Sequence, residues 1–223
     1  MIKKDRHNTK RINPFFKDYG TLHYTIPFAR IKTSDYEEAF MEGIKRDDEE
    51  IDKIISDTSE PTFDNTISRI DKEKGEHYYD LLDRVSNVFS CMLSADTNDE
   101  MDELAQKLSP ILTKHSNDVS LNKKLFERIK YVHEHHRELT AEEQILLDKS
   151  YDGFVRSGAL LNDADKDKLR KLTEESSMMS LQFSQNLLKE TKAYELHITN
   201  EEELDGLPDT AKEAAALTAK EKE

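Results

Sequence analysis

Glycine and proline are scarce in this sequence, six and five residues in 223, and that leaves little turn material for the many short connections of an all-β fold. Tryptophan is absent. Cysteine occurs once, as Cys91, which excludes an internal disulfide framework and suits the cytosol. Cys91 stands among Val88, Phe89, Met92 and Leu93, a setting that predicts a buried, inert thiol and not a nucleophile. No apolar run approaches the ~20 residues needed to span a bilayer. The N-terminus, MIKKDRHNTKRINPFF, is basic but has no apolar stretch behind it, so it does not read as a secretory signal. The cytoplasm is the expected compartment, and a removed leader would make it the periplasm.

Charge is what the chain has in abundance. Charged residues reach 36% against 35% hydrophobic, where about 25% charged is usual, a balance that fits helices with one apolar stripe and long solvated faces. The net charge is −14, but residues 1–32 alone carry +6, leaving −20 for residues 33–223. An acidic body argues against nucleic acid as a partner, because phosphate binding needs a basic face. The basic arm can instead lie on the acidic body.

Along the chain, Pro14, Gly20 and Pro27 mark residues 1–32 as an extended arm anchored by Phe15, Phe16, Tyr19, Tyr24 and Phe28. A first helix opens at the capping box Ser34–Glu37 and carries Tyr36, Phe40, Ile44, Ile51 and Ile55 at helical spacing to about Asp57. PTFDNTI, residues 61–67, opens a second of about thirty residues, with Phe63, Ile67, Ile70, Tyr78, Leu81, Val85, Val88 and Met92 on one face. A capping box at Thr97 and Glu100 starts a third helix that Pro110 kinks or divides, and Asn122 caps a fourth. Thr140 and Glu143 cap a fifth helix that runs towards Gly158.

The longest helical signal covers residues 162–194, free of Gly and Pro and capped by Asn162. Leu169, Leu172, Ser176, Met179, Phe183, Leu187 and Glu190 fall on one face, with Met178, Leu181 and Leu188 beside it. This reads as a buried spine around which a helical lobe, residues 33–199, is organised. Residues 194–199, YELHIT, read as a short strand or extended link. Residues 200–223 begin a further helical segment with no stop signal at its end, as in a chain that continues. No internal repeat of fixed period is found, so the expected class is all-α, a long-helix bundle.

Catalytic patterns are missing. His133-Glu134-His135-His136 resembles the zinc motif HExxH, in which two His at i and i+4 share a helix face, but the second His would fall on Arg137. No third ligand is identifiable, and these residues read as a solvated helix end. Asp47, Asp48, Glu49 and Glu50, and likewise Glu201 to Glu203, read as solvated charge. There is no phosphate-binding glycine loop, nucleophile elbow or EF-hand loop. On residue chemistry alone the chain is an acidic helical interaction module with no catalytic and no metal residue, and its substrate contacts are unassigned.

Six segments in order add a resemblance: PFARIKTSDYEEAFMEGI (27–44), PTFDNTI (61–67), SADTN (94–98), LSPILTKHSND (108–118), YDGFVRSGALL (151–161) and LDGLP (204–208). Together they resemble the N-terminal part of bacterial peptidyl-dipeptidases, zinc metallopeptidases related to oligopeptidase A and thimet oligopeptidase. The resemblance implies a parent about three times this length, almost all helical, that releases C-terminal dipeptides from short peptides in a channel between two lobes. It implies that the zinc ligands lie in a C-terminal catalytic lobe, the partner of this helical lobe in the same polypeptide. This portion would form a channel wall and, alone, associate weakly with itself through faces that lost their cover.

Overall fold

A computed structural model describes residues 11–71, 81–135 and 138–222. Among them there is no strand, and the regular structure is helical, as the composition and periodicity predict. The chain divides into two compact units, Met1–Phe183 and Ser184–Glu223.

The first unit is built on helix α1, Thr33–Ser56. Its N-terminal half buries Tyr36, Ala39 and Phe40 against Leu81, Val85, Val88 and Phe89 of α2, Leu81–Ala95, and against Met101, Leu104 and Leu108 of α3, Asp99–Ser120. Three aromatic contacts stitch this core: Phe15 to Tyr36 at 5.4 Å, Tyr36 to Phe89 at 5.1 Å, and Phe40 edge-on to Phe89 at 5.4 Å. The C-terminal half of α1 turns Ile51 and Ile54 into a second core with Phe63 and Ile67, with Leu125, Ile129 and Val132 of α4, Lys123–His135, and with Leu147 of α5, Ala141–Arg156. One helix therefore serves two cores, and the acidic middle of α1 lies between them.

Several starts fall where the residues foretell. Asn122 Oδ1 accepts from the Leu125 N–H at 3.1 Å, and Thr140 and Glu143 form a reciprocal capping box. Asn162 Oδ1 caps the long helix α6, Asp163–Ala193, through the Asp165 N–H at 3.0 Å. Pro110 sits inside a continuous α3 and does not divide it.

Other expectations are corrected. The first capping box lies two residues earlier: the helix starts at Thr33, and the Asp35 carboxylate, not Glu37, accepts from the Lys32 N–H at 2.7 Å. At α3 the cap is Asn98, which accepts from the Met101 N–H, while Thr97 bonds Asp102. The second long helix is interrupted at Asp71, where a π turn at Phe63–Ile67 and a short turn at Ser68–Ile70 end; α2 is described from Leu81 onward. Tyr78, counted on that face, lies outside the described residues. The arm is not simply extended but carries three short 3-10 turns, at Pro14–Phe16, Leu22–Tyr24 and Phe28–Arg30. Phe15 is fully buried, whereas Tyr24 and Phe28 are exposed. Cys91 is exposed as well, because it lies about 100° of helix rotation from the line through Val85 and Met92.

The largest correction concerns α6. Its apolar stripe is not a buried spine: Leu172, Met179, Phe183 and Leu187 are 61%, 68%, 69% and 58% exposed. The only buried residue of the helix is Lys166, whose Nζ donates to the Leu121 carbonyl at 3.2 Å. What rests on the first unit is a polar seam in which Asn117 bonds Thr173, Thr113 bonds Ser177, and Asp118 pairs with Arg170, helped by a half-buried Leu181.

The second unit holds the end of α6, an irregular link with no strand over residues 194–200, a 3-10 turn at Glu201–Leu204 and helix α7, Asp209–Lys222. Asn200 Oδ1 caps the turn through the Glu202 N–H. Glu201 to Glu203 are exposed, as predicted.

Candidate functional sites

The HExxH-like stretch lies at the end of α4 as described, and His133 and His135 serve packing. His133 stacks on Tyr151 at 4.1 Å between ring centres, with Nε2 3.4 Å from Asp148. His135 stacks on Tyr131 and faces that residue's carbonyl through Nδ1 at 2.9 Å. The two rings thus have different partners, as the helical angle between i and i+2 requires. His136 and Arg137 lie outside the described residues. Among the described residues, no three His, Cys, Asp or Glu side chains are grouped so as to hold a metal ion. The donor set that the family resemblance implies for zinc is not met by the described residues.

A cleft of about 460 Å³ lies over the middle of α1, lined by Asp47, His115, Val119, Lys149, Gly153 and Phe154 among others. His115 is nearly buried, with Nε2 2.7 Å from Asp47 Oδ2 and Nδ1 3.0 Å from Asp48 Oδ1. With a carboxylate at each ring nitrogen, His115 has none left to activate a neighbouring serine, so this is not a nucleophile–base pair. It is a clasp that ties α3 to α1 between the two cores. Asp47 is accordingly largely buried and not a solvated charge, which corrects the reading of that acidic run, while Glu50 is paired with Arg69 at 2.5 Å. A trace of the clasp is present in the sequence: His115 continues the face of Leu104, Leu108 and Ile111, and a histidine on a core face needs a polar partner.

Charge also fixes the arm. Arg11 forms two bonds to the Asp35 carboxylate, at 2.5 and 2.7 Å, and one to the Arg30 carbonyl. The Arg11 hydrogen bonds hold the Asp35 carboxyl below its ordinary range, against the opposing effect of burial. Arg84 donates to the Phe15 carbonyl and lies over the Tyr19 ring. On α4, buried Arg128 bonds the Asp57 carbonyl and Asn65, stapling the turn after α1 to that helix.

In each of these places, polar groups buried in an all-helical frame join one element to another. No protein-family model matches the chain. It is 36% identical over 94% of its length to the dipeptidyl carboxypeptidase of Salmonella typhimurium, and 35% identical over 95% to that of Escherichia coli. A weaker likeness, 22% identity over 88% of the chain, is to oligopeptidase A of Escherichia coli. The chain thus matches the N-terminal part of the dipeptidyl carboxypeptidase and oligopeptidase A peptidases. It spans 30% of the length of each of the two dipeptidyl carboxypeptidases. No helix among the described residues is long and apolar enough to cross a membrane.

Proposed function

We propose that the chain is the N-terminal helical portion of a zinc peptidyl-dipeptidase that releases dipeptides from the C-termini of short peptides, and that it carries no catalytic or metal residue itself. The observation that carries this reading is the match to two dipeptidyl carboxypeptidases across nearly the whole chain. The roles of His133, His135 and His115 in packing and clasping support a structural task for this portion. That task is to form one wall of the peptide channel, with residues 33–199 as the lobe, residues 1–32 as an arm bound to it, and residues 200–223 as the start of the next segment. Zinc belongs to the lobe that follows, and no step of the reaction runs through the described residues.

The test sets the 223-residue chain beside the longer gene product in an assay with a quenched peptide substrate. Cleavage that a chelator abolishes is expected from the longer product only, and the short chain is expected to retain no stoichiometric zinc. Chelator-sensitive cleavage by the purified short chain would sink the proposal. A native reading frame that stops at Glu223 would sink it too, in favour of the free-standing interaction module.

A further inference from the structure

The first unit presents an oddly chosen side of α6 to solvent. Lys166, Arg170, Thr173 and Ser177 face the body, while Leu172, Met179 and Phe183 point away, rotated by roughly a third of a turn. In an amphipathic surface helix the order is the reverse. A second feature of the same helix sharpens this. Residues 176–188, SSMMSLQFSQNLL, contain no charged side chain, in a chain that is 36% charged. A solvated helix in such a chain would carry four or five charges over thirteen residues at that frequency. Loss of charge around bulky apolar residues marks the core of a covered interface.

We infer that this face of α6, formed by Leu172, Met179 and Phe183, is the seat on which the polypeptide following residue 223 of the parent protein packs. The inference rests on the reading that the chain is the N-terminal portion of a longer peptidase. Two observations choose this occupant over a second copy of the chain. The dipeptidyl carboxypeptidases matched by the chain are more than three times as long as the matched stretch, which occupies 30% of them, so ample polypeptide exists to cover the stripe. And two copies that each carry −14 repel on approach, whereas a segment of the same polypeptide is held nearby at high effective concentration.

The test substitutes Phe183→Glu in both the 223-residue chain and the longer gene product and follows thermal unfolding. In the short chain the midpoint stays in place and binding of a hydrophobic dye falls, because the residue is already in water. In the longer product the same change lowers the midpoint by several degrees, since it buries a charge without a partner. Phe183→Ser, which introduces no charge, should follow the same order to a smaller extent, and this guards against gross misfolding of the first variant. An unchanged midpoint in the longer product overturns the inference. So does a tight dimer of the short chain that Phe183→Glu dissociates, which would assign the face to a second copy, and so does a reading frame that ends at Glu223. A longer product that is sensitive to Phe183→Glu yet cleaves no peptide would leave this interface standing and remove the proposed function.

Discussion

Arg11 and Asp35 lie 24 residues apart, and their two hydrogen bonds tie the arm to the first turn of α1. The Asp35 side chain is almost completely buried, and its carboxylate also caps the Lys32 N–H. Because Asp35 has its pKa lowered by folding, from an ordinary value of 3.8, the pair contributes stability that is complete above that value. This contribution is lost as the pH falls through the lower, folded-state value. Asp35→Asn should therefore destabilise the chain at pH 7 by about 1–3 kcal/mol, the cost of removing a charged partner from a buried hydrogen-bonded group. The gap between the two proteins should close in strong acid. Urea unfolding at pH 7 and at about pH 3 measures both values. A gap that does not narrow on acidification would mean that the hydrogen bonds to the carboxylate contribute nothing in its charged form.

Helices α1 and α2 approach each other closely at Gly43, and the glycine permits it. A Cβ at this position would stand 3.0 Å from the Cα and N of Leu82, backbone atoms that cannot rotate away. Gly43→Ala gains about 1 kcal/mol of helix propensity, but overpacking against backbone costs about 1–3 kcal/mol, so a net loss of about 1 kcal/mol is expected. Gly153 is the control: it lies within α5, and a methyl added there would meet no atom within 4 Å, so Gly153→Ala should stabilise by about 0.5–1 kcal/mol. Thermal or urea unfolding of the two variants decides, and stabilisation by both would show that α1 and α2 separate at no cost. Gly43 also shows the limit of reading elements from sequence. Periodicity and caps locate α4, α5 and α6 well, because Asn122, Thr140 and Asn162 act on donors within their own first turn. The approach of Gly43 to Leu82 and the clasp of His115 on Asp47 join residues 39 and 68 apart, beyond what local pattern encodes. Nor does an apolar stripe declare what covers it. In α6 the stripe is real, but the side that meets the body is the polar one, so over residues 163–183 the helix that reads as a spine lies at the surface of the first unit.

At the scale of the whole molecule, an uncovered apolar face and a large negative charge oppose each other. Each Å² of apolar area that a second copy removes from water contributes roughly 25 cal/mol, and the stripe of Leu172, Met179 and Phe183 would be the first surface covered. Against this acts a net charge of −14, of which residues 33–223 carry −20. Between two such molecules the repulsion extends over about a Debye length, roughly 10 Å at 0.1 M salt and 3 Å at 1 M. The 223-residue chain should therefore be close to monomeric in dilute buffer and associate weakly as salt is raised, the reverse of an association held by ion pairs. Sedimentation equilibrium at low and high salt measures this directly, and Phe183→Glu should abolish the salt-promoted species. A strict monomer at both salts that also binds no hydrophobic dye would mean that the face is too small or too divided to act as one surface. Association that weakens with salt would place the contact among the charged residues of α1 or α3, away from the stripe.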